Sequence, residues 1–345
     1  MNTSDGPPAP IAVAPDHPVT VHPRIRLILD AIAPACDPVM MGTGIVSIGL
    51  LLDGRSTLSA IMLVLAAGVW VALVGLLLVR AVGDRTRLLS DLRRPAALGS
   101  SAAAAVLGTR LALLGWVAPA IALLVVAVGL WLVLAPRVLA AWEVPTVGGS
   151  FLLAVAAEAL ALLGSTVALA QHASWLAVAM LVPFAVGLAC YAFVLSRFGV
   201  RELAVGGGDH WVSGGALAIS AAAAGHLALA AHDTGALGGA VGALKVVALV
   251  LWCLAVAWLP ALLIAEVLHP RPGYSLQRWS TVFPVGMYAV CSFIVGSVVG
   301  IPAITDFAQV WVWVGLAAWL VVFAGMIRRA PGLLRGSPEP GPTDA

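Results

Sequence analysis

Apolar stretches of about 20 residues, separated by short polar breaks, recur along the chain from Asp30 to Arg328. Each is long enough to cross a hydrocarbon core roughly 30 Å thick as a helix. The runs lie at about 33–51, 58–80, 96–114, 117–136, 148–170, 174–196, 211–230, 240–267, 280–300 and 308–327. Barrel strands would be nearer 10 residues and would alternate in polarity, so runs of this length are read as helices. A soluble fold has no use for them. The sequence is 61% hydrophobic and 10% charged, against about 25% charged in soluble domains, which leaves too little polar surface to keep an exterior wet.

Cation placement sets the topology. Of the 18 lysines and arginines, all but Arg55, Arg110 and Lys245 fall on one side of a ten-span layout. Adding or dropping a span would scatter the later cations over both sides. The positive-inside rule makes the cation-rich side cytoplasmic, so both termini are expected inside a bacterial inner (plasma) membrane. Residues 1–26 contain several prolines and no early basic cluster, and read as a disordered cytoplasmic tail. Residues 27–328 form the expected ten-helix transmembrane domain and 329–345 a cytoplasmic C-terminal tail. Short outer loops, such as Asp53 to Ser56, Gly115 to Trp116, Gln171 to Ala173 and Asp306 to Phe307, tie successive spans into five antiparallel hairpins.

Soluble chemistry finds no footing. Cys36, Cys190, Cys253 and Cys291 are too widely spaced for a metal cluster or a disulfide framework. The Gly206–Gly208 and Gly235–Gly242 stretches lack the surroundings of a phosphate loop. The cations form no basic stripe for nucleic acid. No cofactor, metal or paired catalytic group is expected, and the chain is not read as an enzyme.

Polar residues inside spans carry the remaining information, because charge within a bilayer is costly and usually faces a bundle interior or an aqueous path. These are Arg110 in span 3, Glu158 near the middle of span 5, His226 in span 7 and Lys245 in span 8. If odd-numbered helices form an inner ring and even-numbered ones a sheath, Arg110 and Lys245 would attract an anion and His226 would donate a hydrogen bond to it. Glu158 is the misfit, since it needs a partner or a proton. The competing reading is an interhelical pair at Glu158 with the cations snorkelling to the interface. Backbone irregularity is the second signal. Gly42, Thr43, Gly44 and Ser47 lie in span 1, and Pro284 and Gly286 in span 9, beside Phe283, and all six are read as pore-lining or kink positions. Pro284 either breaks the helix against a cavity or merely occupies its first turn. Trp311, Trp313 and Trp319 read as an interfacial belt.

With its ten-span layout, Met41-Gly42-Thr43-Gly44-Ile45 in span 1, and Trp279 followed by Phe283-Pro284 entering span 9, the chain resembles the tellurite-resistance/dicarboxylate transporter family. That family is related to the plant slow anion channels within the voltage-dependent anion channel superfamily. The resemblance covers roughly residues 27 to 328. It implies five helical hairpins in quasi-five-fold arrangement, odd-numbered helices around a central pore, and a homotrimer whose protomers each keep their own pore. It also implies a phenylalanine gate at Phe283, with Gly42, Gly44 and Pro284 kinking the inner helices. The expected function is passage of small anions: monovalent inorganic anions, oxyanions or C4-dicarboxylates. The alternative is a proton-coupled carrier or exporter of dicarboxylate, sulfite or tellurite-type oxyanions, with Glu158 and His226 as protonation candidates. Val285 after the proline, followed by Gly286-Met287-Tyr288, is closer to the transporter-like members than to the plant channels.

Overall fold

The computed structural model describes residues 23–83, 85–142, 146–199, 201–205, 208–270 and 273–334, with side chains placed from Asp37 onward except at 87, 205 and 330–334. Most of both expected tails, Gly206, Gly207, and the side chains of Cys36, Arg24, Arg26, Arg87, Arg271 and Arg335 therefore lie outside the described residues. The long helices are α1 (Pro23–Leu52), α2 (Ser56–Gly83), α3 (Gly99–Ala112), α4 (Val117–Ala140), α5 (Leu152–Ala170), α6 (Ser174–Leu195), α7 (Val212–Thr234), α8 (Ala240–Leu268), α9 (Trp279–Val299) and α10 (Pro302–Leu334). Short helical turns lead into α3, α5, α7 and α9.

Eight of these are long and apolar enough to cross a membrane. The other two are shorter: the apolar part of α1 found among the described residues covers Asp37–Leu52, and α3 has 14 residues after a Pro95–Leu98 lead-in. Burial alternates along the chain. In their most apolar stretches α5, α7 and α9 are 89–94% buried, whereas α2, α4, α6, α8 and α10 are 17–28% buried. The described part of α1 and nearly all of α3 are buried as well. Each buried helix packs on the next in chain order, α1 on α3, α3 on α5, α5 on α7 and α7 on α9, and α9 returns to α1.

Composition explains the division. The buried helices are rich in small residues, as in Ser100–Ala105 of α3 and Ala221–Gly225 of α7. Small side chains let backbones approach, and in lipid that packing holds helices together without a hydrophobic drive of its own. Leu, Val and Trp dominate the outer helices and cover the side turned to lipid.

Local chemistry sets the ends, and here the sequence-based boundaries shift. α9 stops at Gly300, which adopts φ +72° and donates its N–H to the Gly296 carbonyl. That left-handed cap is natural only for glycine. Pro302, with no N–H to lose, then opens α10 six residues earlier than expected. Asp306 and Phe307 therefore sit inside α10 and not in a loop. α6 is interrupted at Met180, three residues before Pro183, whose ring removes the amide that would bond Ala179. Across the outer loops His172 Nδ1 lies 2.6 Å from Asp233 Oδ2, joining the α5–α6 hairpin to the α7–α8 hairpin.

Gly300→Ala places a side chain in open space but in a strained backbone conformation, so it is expected to cost roughly 1–2 kcal/mol. Thermal unfolding in detergent should show a lowered midpoint; an unchanged midpoint would mean the turn does not depend on this cap.

Candidate functional site

α9 packs tightly on α1 and on α7, and glycine makes each approach possible. A Cβ on Gly42 would lie 3.1 Å from Val282, one on Gly286 would lie 2.7 Å from Ile45, and one on Gly215 would lie 2.8 Å from Pro284. Gly44 is pressed against Val106 of α3 in the same way. Pro284 sits beyond the first turn, inside a continuous α9. α1 also runs unbroken through Gly42 and Gly44. Their glycines permit contact between neighbouring helices.

These contacts orient α9. Val282 and Gly286 face α1, while Pro284 packs on Gly215 and Tyr288 on Gly214 of α7. From outside, Trp311 of α10 donates to the Val285 carbonyl at 3.0 Å, and Tyr288 donates to the Ala255 carbonyl of α8 at 2.9 Å. A helix turns about 100° per residue. Phe283 and Met287 therefore fall on the one remaining face, turned away from the outer helices, and both are buried.

The same reasoning applies to α1. Thr43 donates to the Val39 carbonyl and accepts from Trp319 Nε1 of α10 at 2.9 Å. Ser47 donates to the Ser59 carbonyl of α2 at 2.7 Å, and Ser59 returns a bond to the Ser47 carbonyl at 2.6 Å. Thr43 and Ser47, expected on a pore wall, are thus committed to holding α1 against outer helices. The opposite face carries Met41, Ile45 and Ile48, all buried. The surfaces of α1 and α9 that face inward near Phe283 are accordingly apolar.

The four intramembrane polar residues do not converge. Arg110 is 2% exposed. Its Nε lies 3.0 Å from Ser47 Oγ, its Nη2 lies 2.9 Å from Ser59 Oγ, and Nη1 has no partner. It therefore joins α3 to the α1–α2 hairpin. Lys245 is on the outer helix α8 and only half-buried, in the setting of a snorkelling side chain. His226 Nδ1 lies 3.1 Å from Thr166 Oγ1 of α5, and that hydroxyl already donates to the Leu162 carbonyl at 2.7 Å. The ring must then donate from Nδ1, which leaves Nε2 as an acceptor in the neutral imidazole. A neutral His226 cannot donate to an anion as the sequence suggested. Glu158 is fully buried, and among the described residues neither of its oxygens has a hydrogen-bond partner, so the competing reading of an interhelical pair with a cation is not met.

Sequence reasoning missed Ser59, Met41, Ile48, Gly187 and Thr166. It also misplaced two tryptophans. Trp311 and Trp319, eight residues apart on one helix face, turn inward to bond α9 and α1, and only Trp313 is largely exposed. Their spacing was the available signal.

Ser59→Ala strands the Arg110 guanidinium. A loss of roughly 1–3 kcal/mol is expected from buried donors left unpaired. Ser165→Ala, which removes only bonds within its own helix, should have a much smaller effect. Equal unfolding midpoints for the two variants would contradict this assignment.

Against known proteins, the model of the voltage-dependent anion channel family matches residues 32–327. Two uncharacterized membrane proteins of Mycobacterium tuberculosis, from strains CDC 1551 / Oshkosh and H37Rv, are each 31% identical over 129 residues. The match covers 34% of this chain, and the chain spans 62% of the length of each relative.

Proposed function

The chain belongs to the voltage-dependent anion channel family, and on that premise we propose that it passes small anions across the membrane through the space enclosed by α1, α3, α5, α7 and α9. The observation that carries this reading is the closed sequence of buried helices, each covered by a lipid-facing partner. In the proposed arrangement α1 and α3 complete ten crossings, paired as five hairpins about a quasi-five-fold axis, with both termini cytoplasmic in a plasma membrane. The family resemblance adds a homotrimer with one path per protomer.

Phe283 is the proposed gate. It sits on the inward face of α9 beside Met287, opposite the inward residues Met41, Ile45 and Ile48 of α1. A constriction lined by such side chains stays dry until it widens, and wetting then opens it. Pro284 supports this role, because the missing amide leaves the Ser280 carbonyl without its usual helical donor and softens α9 next to the ring. Arg110 and Lys245 are directed elsewhere, so among the described residues neither intramembrane cation is placed to trap an anion near Phe283. Weak binding suits conduction.

Purified protein in liposomes, with an anion gradient and a potassium-selective ionophore to balance charge, tests the reading. Phe283→Ala should raise anion efflux at least several-fold over the wild type. If efflux is unchanged or lost in a variant that remains folded, the gate assignment fails.

A further inference from the structure

Glu158 is a buried intramembrane acid that neither the helix-to-helix bonds described above nor the anion path employs. It projects from α5 toward α6 and α7. A Cβ on Gly187 of α6 would lie 2.6 Å from its Cδ and Oε1, so that glycine supplies the room the carboxyl occupies. Ser220 faces it from α7, yet the Ser220 hydroxyl already donates to the Ala216 carbonyl at 2.8 Å. Cys190 of α6 is a titratable neighbour close enough to feel its charge. The other groups on the packed elements are occupied elsewhere: Arg110 of α3 with two serines, His226 of α7 with Thr166, Tyr191 of α6 with Trp258 Nε1, and Arg137 of α4 with the Val133 carbonyl. Among the described residues no cation pairs with Glu158. An ionised carboxylate with no donor and no counter-charge in a bilayer interior is far costlier than the neutral acid.

We propose that Glu158, held in the space left by Gly187, is a proton-binding site coupled to anion occupancy of the adjoining path. The site holds its proton in the closed conformation. It sits on the seam between parallel helices α5 and α7, and both of these line the proposed path. An anion entering that path disfavours an ionised Glu158, and by reciprocity a bound proton favours the anion. The sign follows directly. Protonated Glu158 promotes anion passage, and raising the pH until the group ionises in the open, wetter conformation suppresses it. The proposal rests on the anion-path reading, and the measurements keep the two apart.

Anion efflux from liposomes is measured across a pH series for wild type, Glu158→Gln and Glu158→Asp. Wild-type efflux should fall as pH rises. Glu158→Gln, a permanent mimic of the neutral acid, should lose the pH dependence and stay at the high-flux level, while Glu158→Asp should retain a pH-dependent profile. A pH-independent wild type, or a Glu158→Gln profile that tracks the wild type, overturns the proposal. Infrared difference spectroscopy of the same proteoliposomes reads the site without flux. A protonated-carboxyl band should be present in wild type and absent in Glu158→Gln, and identical spectra would also overturn it. Absence of anion efflux from every variant, with the infrared band present, would instead count against the anion path and leave the proton site standing.

Discussion

Lipid offers polar groups no partner, and that constraint shapes this molecule from its helix ends to its interior. Every backbone amide must be satisfied within the protein, so the chain is helical. The few polar side chains inside spans must find one another. Trp319 reaches Thr43, Trp311 reaches the Val285 carbonyl, Trp252 reaches Ser292 and Tyr288 reaches the Ala255 carbonyl. Each bond joins a lipid-facing helix to a buried one. Together with close contact across Gly42, Gly44, Gly215 and Gly286, they hold an inner set of helices inside an outer one.

The same constraint separates the charged residues by role. Arg110 is satisfied by serine hydroxyls on two helices and acts as a bracket for the first three spans. His226 donates from Nδ1 to a threonine whose own proton is already committed, which ties α7 to α5. Glu158 has no hydrogen-bond partner on either oxygen among the described residues, and an acid buried in that state is what marks it for function. The face of α9 that carries Phe283 and Met287 and the face of α1 that carries Met41, Ile45 and Ile48 are buried and apolar, which is what the proposed gate requires.

Much of the architecture was legible in the sequence because its signals are one-dimensional. Span length and polarity gave most helix positions, and Pro183 and Pro284 marked places where backbone bonding is interrupted. The end of α9 was met to within a residue, whereas the start of α10 at Pro302 was missed because a window of apolar residues does not register a proline that opens a helix directly after the Gly300 cap. Side-chain direction was the harder problem. Thr43 and Ser47 share a span with Met41 and Ile45, and only knowledge of which neighbour lies on which side tells a hydroxyl facing another helix from a residue facing the interior. The small-residue runs Ala102–Ala105 and Ala221–Ala224 lie on buried helices and were an unused signal of that burial, since closely packed backbones need small side chains. The partnerless state of Glu158 was not legible, because it depends on Gly187 and Ser220, which are distant in sequence.

The central claim is that the space enclosed by the buried helices conducts anions. It is tested most directly by the reversal potential of the purified protein in planar bilayers separating unequal concentrations of a single salt. The account predicts a current whose reversal potential moves toward the anion equilibrium potential and follows it as the gradient is changed. A reversal potential that follows the cation, or one that ignores the gradient, would contradict it.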